Sequence, residues 1–275
     1  MIAAAYWRDL GETLAPPEGR APMPPRIYVT GRIGVESGGV LLDQDAFPGK
    51  QGLLAFARLV LAREEAVSRE DLASLLWPEE LPRAWDAALH SIASKLRVLM
   101  ARAGLDKKTV LPANLGCYQL NLPEGTWVDV EVAAHSLHEA EDLFKAGRHR
   151  DCWSMAQVAF HICKRPFLPG ETGAWAVLQR ERLTLWFARA GECLVETYIW
   201  NGEPLVAVDV AEQVVAAQPF RETGYQLLMR AHAAAGNRAE ALFTYERCRK
   251  LISEELGVDP SSETMAVHRK ILVGR

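Results

Sequence analysis

Residues 68–104 read SREDLASLLWPEELPRAWDAALHSIASKLRVLMARAG. Ser68 precedes Asp71 by three positions, which is a variant of the capping box that begins many helices. The dipeptide Trp77-Pro78 ends this helix, because proline disfavours helical backbone in the residue before it. The stretch therefore predicts a short helix with a defined start and end, followed by a loop that contains a second proline.

A longer amphipathic helix is predicted over residues 84–103, with Gly104 as its stop. At about 100° per residue, one face carries large apolar side chains: Trp85, Leu89, Ile92, Leu96 and Leu99. The opposite face carries small, polar and basic residues: Arg83, Ala87, His90, Ser94, Arg97 and Ala101, with Ser91 beside them. Small residues let a helix approach the major groove of DNA closely, where arginine and serine can reach base edges or phosphates. The alternative is an ordinary surface helix whose charged face is only solvated.

The flanking segments predict strands on both sides of a three-helix unit. Residues 26–47 predict short strands with a hairpin turn at Gly38-Gly39, and a helix follows around residues 53–61. Beyond the long helix, a second hairpin is predicted. Its strands are residues 109–111 and 118–120, and its turn is residues 114–116. Short strands, three helices and then a hairpin form the order of a winged helix with an extra N-terminal sheet.

The chain from Val128 onward predicts a helical repeat. Gly202 and Gly236 are 34 residues apart, and each is followed five positions later by an alanine, Ala207 or Ala241. This is the period of a tetratricopeptide repeat, in which glycine allows a tight turn and alanine lets paired helices approach. The fold class predicted for the whole chain is therefore mostly α with two domains: a winged helix-turn-helix with small β-sheets, then an all-α TPR-like domain.

A looser repeat unit begins at Gly147, with Cys152 and Ala156 at its small positions. The 55 residues from Gly147 to Gly202 exceed one period, and the excess fits an insertion at residues 165–170.

The N-terminal residues 1–25 predict an arm or linker, because five prolines follow position 15. A short helix around Tyr6, Trp7 and Leu10 is one option within it.

Charge is distributed unevenly along the chain. The net charge is −4, which is unusual for a DNA-binding protein, yet residues 83–108 contain six basic and two acidic side chains. Positive charge is thus focused on the long predicted helix and the residues after it, as expected for a small DNA-contacting face.

The sequence offers no recognisable signature of a metal site, a cofactor site or catalysis, so we do not expect an enzyme. The five cysteines lack a CxxC pair, which argues against a disulfide framework and predicts small core residues. His135 and His138 have no third ligand nearby in sequence, so solvated side chains are expected. Neither an apolar run of membrane-spanning length nor a signal peptide is recognisable, and a cytoplasmic location is therefore expected.

The chain resembles the SARP-type transcriptional activators, in which an OmpR-type winged helix precedes a bacterial transcriptional activator domain (BTAD). The segments that carry the resemblance are Pro48–Gln51, Asp71–Pro78, Ser94–Arg97, Ala235–Ala241 and Glu254–Pro260. The resemblance implies a DNA-binding domain over residues 26–122 and a TPR-like activator domain over residues 127–275. It also implies an activator that binds direct repeats in promoter DNA as a pair, as a homodimer at least on DNA, and that contacts RNA polymerase.

Two sets of site residues follow from the predicted helix and the resemblance together. The expected DNA contacts are Arg83, His90, Ser91, Ser94, Lys95 and Arg97, with Lys50, Lys107 and Lys108 on the phosphate side. The expected polymerase contacts are Trp77, Glu79 and Glu80, in the loop after the short helix.

One departure from the family pattern concerns the second hairpin. An Arg-Gly-x-Gly-Tyr pattern is usual there, whereas this chain has Asn114-Leu115-Gly116-Cys117-Tyr118 and lacks the arginine that would enter the minor groove.

Two alternative functions remain open at this point. The helical domain could make the chain a protein-interaction adaptor, since TPR grooves bind peptides and this half is acidic. The Trp-rich helices could instead form a sensor for a small-molecule effector that regulates DNA binding.

Overall fold

The computed structural model describes residues 24–274. The predicted N-terminal arm and the helix suggested around Tyr6, Trp7 and Leu10 therefore lie outside the described residues, apart from Pro24 and Pro25.

The described residues form seven short strands and ten α-helices. In chain order they are β1 (Arg26–Tyr28), β2 (Gly34–Ser37), β3 (Val40–Asp43), α1 (Gly49–Leu61), β4 (Val67–Ser68), α2 (Arg69–Leu76), α3 (Trp85–Arg102), β5 (Ala113–Asn114), β6 (Cys117–Tyr118), β7 (Trp127–Val128), α4 (Asp129–Lys145), α5 (His149–Cys163), α6 (Ala174–Trp200), α7 (Pro204–Ala217), α8 (Glu222–Ala234), α9 (Arg238–Leu256) and α10 (Ser262–Val273). The chain is mostly helical, as the sequence predicts.

A four-stranded sheet has the order β3-β2-β1-β7. Strands β1 to β3 belong to the N-terminal body, by which we mean residues 24–122, and β7 is added to the sheet from the segment that leads into α4. The predicted hairpin joins β2 to β3, and its turn residues Gly38 and Gly39 have φ values of 56° and 80°. Two consecutive positive φ values suit a tight two-residue turn, which glycine adopts without steric cost.

The start and end of α2 lie where the sequence predicts them. The Asp71 backbone N–H donates to Ser68 Oγ over 2.9 Å, and Ser68 is the N-cap. The helix ends at Leu76, and Trp77 is its C-cap. A side-chain cap and a following proline act within a few residues, so they determine these boundaries locally.

The second hairpin is shorter than predicted. It joins β5 to β6, and β6 also pairs with β4 in a three-stranded sheet. The strand predicted at residues 109–111 is wrong, because these residues form a turn and bend. The Asp106 carboxylate accepts from the Lys108 backbone N–H and from Thr109 Oγ1, each over 3.0 Å, and this side-chain capping favours a turn over a strand.

The helices α4 to α9 form three antiparallel pairs, and α10 packs on α8 and α9. The turns within the pairs contain Gly147, Gly202 and Gly236, with φ values of 71°, 78° and 77°. The predicted small positions are all fully buried: Cys152, Ala156, Ala207 and Ala241. The TPR-like helix pairing, the insertion between α5 and α6, and the small-residue contacts are thus confirmed.

The two halves share one continuous hydrophobic core. Asp129, the first residue of α4, is fully buried and accepts hydrogen bonds from the backbone N–H groups of Val29 and Thr30 beside β1. Arg63, just after α1, makes a two-pronged ion pair with Glu131 of α4. These contacts attach the helical half rigidly to the sheet of the N-terminal body.

The predicted insertion forms a second connection between the halves. The Gly31 N–H donates to the Pro166 carbonyl over 2.7 Å, and Thr30 pairs with Phe167 as an isolated β-bridge. Arg180 of α6 supports this loop, since its guanidinium donates to the carbonyls of Phe167, Leu168 and Glu171.

All five cysteines are free, and four of them are buried as predicted, whereas Cys117 on β6 is half-buried. Within residues 24–274, no helix combines the length and apolar character needed to cross a lipid bilayer.

Candidate nucleic-acid interface

The helix α3 has one face in the core, as its sequence pattern predicts. Leu89 is fully buried, and Ile92, Leu96 and Leu99 are buried with it, while Trp85 is half-buried at the first turn. This packing against α1 and α2 fixes the helix axis, so its outer face has a defined orientation.

The outer face of α3 is exposed to solvent over most of its length. The exposed residues are Asp86, Ala87, His90, Ser91, Ser94, Lys95, Val98, Ala101 and Arg102, and Arg83 is exposed just before the helix. Short side chains on the midline leave room for a surface such as a DNA groove to approach. One edge of the face carries the cations Lys95 and Arg102, and the other edge carries Asp86, which is paired with Arg69.

Sequence reasoning missed two residues of this face. Val98 is 46% exposed on the midline, one turn after Ser94, and Arg102 is exposed in the last turn. The signal was available, because Val98 lies opposite the buried Leu96 in a helical projection. Val98 is apolar, and a search for polar and basic side chains alone does not select it.

Arg97 lies at the edge of α3 rather than opposite the core. It is half-buried, and its Nε donates to the carbonyl oxygen of Leu111 over 2.8 Å. The side chain therefore connects α3 to the segment that leads into the second hairpin, a contact that the helical projection does not show.

Arg69 at the start of α2 makes two further connections. Its guanidinium forms an ion pair with Asp86 in the first turn of α3, and its backbone N–H donates to the Gly116 carbonyl over 3.0 Å. The N-termini of α2 and α3 and the hairpin turn are consequently held together as one surface.

The hairpin itself presents Asn114 and Leu115 to solvent, and Lys107 and Lys108 are exposed in the turn before it. A hydrogen bond from the Lys108 backbone and one from the Thr109 hydroxyl hold the pKa of the exposed Asp106 below its ordinary value. The Asp106 carboxylate thus lies beside two predicted phosphate-contacting lysines.

Lys50 occupies a different environment from the other predicted DNA contacts. It lies in the first turn of α1, and its Nζ is 3.2 Å from Oε2 of Glu171 in the helical half. Both residues line a cleft of about 680 Å³ that also includes Trp77, Glu79 and Glu80. The structure therefore brings Lys50 together with the three predicted polymerase contacts.

A second cleft of about 580 Å³ lies on the inner helices α4, α6 and α8. Two ion pairs connect neighbouring helices in this cleft: Arg189 with Glu141 at 2.7 Å, and Arg230 with Glu196 at 2.7 Å. Glu192 of the lining also pairs at 3.1 Å with Arg221, the N-cap of α8. The four tryptophans of α5 and α6 do not line this cleft; Trp153 and Trp200 are exposed instead. The aromatic pocket considered for a small-molecule effector is therefore not formed at this cleft.

The two histidines of α4 face carboxylates on their own helix. His135 Nε2 is 3.4 Å from Glu139, and His138 Nε2 is 3.5 Å from Asp142, and all four side chains are largely exposed. Among residues 24–274 no three potential metal ligands cluster together.

Comparison with known proteins identifies the class of protein that this arrangement represents. Residues 128–272 match the family model of the bacterial transcriptional activator domain. The match covers more than half of the chain, and the chain belongs to this family.

Curated relatives are transcriptional regulators. The chain is 29% identical over 271 residues to the regulatory protein AfsR of Streptomyces griseus. The alignment covers 96% of this chain and 27% of the relative. It is 27% identical over 232 residues to the transcriptional regulatory protein EmbR of Mycobacterium tuberculosis. This alignment covers 82% of this chain and 58% of the relative. The chain thus spans less than two thirds of either relative, and its predicted resemblance to SARP-type regulators is confirmed.

A solved structure shows the same fold. The structure of M. tuberculosis EmbR in complex with a low-affinity phosphopeptide superposes with a TM-score of 0.84 at 23% identity. The superposition covers 93% of this chain and 66% of that chain.

Proposed function

We propose that this chain is a sequence-specific DNA-binding transcriptional regulator, an activator whose N-terminal body is a winged helix. One observation carries the proposal: α3 buries one face in the core and leaves the opposite face free, next to a hairpin that Arg97 and Arg69 attach to it. A helix of this kind fits the major groove, which is about 12 Å wide.

The charges around α3 support binding to a polyanion. Arg83, Lys95 and Arg102 are exposed along the helix, and Lys107 and Lys108 continue the basic surface towards the hairpin. Lysines and arginines that contact phosphates release condensed counterions, so the affinity should fall steeply with salt. We expect Ser91 and Ser94, which lie on the exposed face between Arg83 and Lys95, to contact base edges.

The loop between α2 and α3 supports a contact with RNA polymerase. Glu79 and Glu80 are exposed, Trp77 is half-buried, and the three share a cleft with Lys50 and Glu171. Their carboxylates would bind a basic surface of the polymerase while α3 holds the promoter. Two chains bound side by side on direct repeats, as a homodimer on DNA, would present two such loops.

Fluorescence anisotropy tests the DNA-binding proposal. The probe is a duplex that the full chain enriches from a random-sequence pool, measured beside a scrambled duplex at two salt concentrations. Lys95→Glu on α3 should weaken binding to the enriched duplex at least tenfold. Lys250→Glu, at a position on α9 that is also exposed, should leave it unchanged. Equal binding of the two duplexes by the parental protein, or equal effects of the two variants, would contradict the proposal.

The concave cleft of α4, α6 and α8 favours a second candidate, a protein-interaction adaptor that binds a peptide. A peptide in this cleft would have to compete with the ion pairs Arg189–Glu141 and Arg230–Glu196, whose residues line it. Reversing the charge of Arg189 would then abolish partner binding without changing DNA affinity. If the cleft binds no peptide, the same variant should change partner binding only as far as it lowers the stability of the helical half.

A further inference from the structure

Leu115 is the most exposed large apolar residue among those described. It lies in the two-residue turn between β5 and β6 with a relative exposure of 104%, whereas the next most exposed, Phe243, reaches 69%. A leucine at the tip of a hairpin contributes nothing to the core of its own chain. Its apolar surface therefore stays in contact with water unless another molecule covers it.

The backbone of Leu115 is strained in addition. Its φ of 49° lies in the left-handed region, which side chains other than glycine and asparagine adopt only at a cost. The other non-glycine residue with positive φ among those described, Leu168, is buried in the loop that joins the two halves. Packing compensates the strain at Leu168, whereas at Leu115 only the backbone pairing of the hairpin holds the residue and its side chain has no packing.

The hairpin tip is nevertheless held firmly relative to α3. Gly116 accepts a backbone hydrogen bond from Arg69, and β6 pairs with β4 through Tyr118 and Val67. Arg97 holds the segment leading into the hairpin against α3. A tip fixed in this way can carry an apolar side chain into a partner without a large loss of conformational entropy.

We propose that Leu115 is an apolar wedge that enters the minor groove beside the major groove occupied by α3 and partly unstacks one base step there. The inference rests on the proposed function, because it needs α3 on DNA. The exposed residues Lys107 and Lys108 precede the hairpin in the chain, and cations of this kind favour contact with phosphates. Leucine is among the side chains that unstack minor-groove steps, and Asn114 next to it can hydrogen-bond to base edges.

The decisive variant is Leu115→Asn. It creates Asn-Gly, the preferred pair for a turn with two positive φ values, so the hairpin should become more stable. The melting temperature should rise while the affinity for a duplex enriched by the parental protein falls at least tenfold, which corresponds to about 1.4 kcal/mol. Leu115→Met should retain most of the affinity, and Leu205→Asn, at an exposed leucine of α7, should change nothing.

A fluorescent base reports the unstacking directly. With 2-aminopurine placed at successive positions of the enriched duplex, the parental protein should increase the fluorescence at one step, and Leu115→Asn should abolish that increase. Equal affinity of Leu115→Asn and the parental protein would overturn the proposal.

Two other outcomes are distinguishable. A loss of affinity on duplexes with two repeats but not on a single repeat, without a 2-aminopurine signal, would mean that Leu115 contacts a second copy of the chain and would overturn the wedge. Absence of any duplex binding by the parental protein would refute the proposed function itself.

Discussion

Replacement of Asp129 by alanine should weaken the attachment of the helical half to the N-terminal sheet. The carboxylate is fully buried, and its oxygens accept from Val29 N–H at 3.0 Å, Thr30 N–H at 2.9 Å and Thr30 Oγ1 at 2.7 Å. A fourth donor is the N–H of Val130 at 2.8 Å. One side chain thus satisfies donors from both halves of the protein.

The magnitude follows from the donors that the substitution leaves without a partner. Each buried donor without a hydrogen bond costs about 1–3 kcal/mol. The Thr30 hydroxyl can rotate to another acceptor, and Val130 is in the first turn of α4, so the two N–H groups of Val29 and Thr30 dominate. We expect Asp129→Ala to lower the free energy of unfolding by about 2–6 kcal/mol. Asp129→Asn keeps one acceptor and should lose about half of that.

Urea denaturation, followed by tryptophan fluorescence and circular dichroism, measures this loss. Asp209→Ala, at an exposed carboxylate of α7, is the matched control and should change stability by less than about 0.5 kcal/mol. A loss below about 1 kcal/mol in Asp129→Ala would refute the reasoning, since it would mean that these donors are satisfied elsewhere.

The pH dependence of stability gives an independent check. Burial raises the pKa of Asp129, and the hydrogen bonds from Thr30, Val29 and Val130 only partly oppose this effect. Because the folded-state pKa is above the unfolded one, the stability from this group is complete below the ordinary carboxyl pKa and is lost as pH rises through the raised value. Asp129→Asn does not titrate, so its stability relative to the parental protein should increase over that range.

Four further predictions concern single side chains. Ser68→Ala should lower the free energy of unfolding by about 1 kcal/mol, because it removes the cap of α2, and denaturation measures this. Val98→Ala should weaken binding by about 0.8 kcal/mol or more if Val98 contacts a thymine methyl; replacing that thymine by uracil should then cost the parental protein affinity and the variant none. Arg97→Ala should weaken specific binding by about 1–3 kcal/mol if Arg97 also contacts a base. If the variant lowers only the melting temperature, the role of Arg97 is limited to its hydrogen bond to the Leu111 carbonyl. Thiol labelling with mass spectrometry should modify Cys117 first and spare Cys163, because burial raises the pKa of the Cys163 thiol to about 12.

Sequence alone determined the helix boundaries and the repeat. The Ser68 cap, the Trp77-Pro78 stop and the glycines at 202 and 236 all act on the backbone within a few residues, so their effects are readable without knowing what packs nearby. The buried face of α3 was equally predictable, because a period of about 3.6 residues places its apolar side chains together.

Tertiary structure alone decided the environment of several site residues. The pairing of Lys50 with Glu171 and the bond from Arg97 to the Leu111 carbonyl depend on segments that local patterns do not place. Asp129 meets Val29 across a separation of 100 residues, and no periodicity marks it as a buried carboxylate. The strain and full exposure of Leu115 also appear only in the folded chain, because they depend on which neighbours the hairpin leaves uncovered.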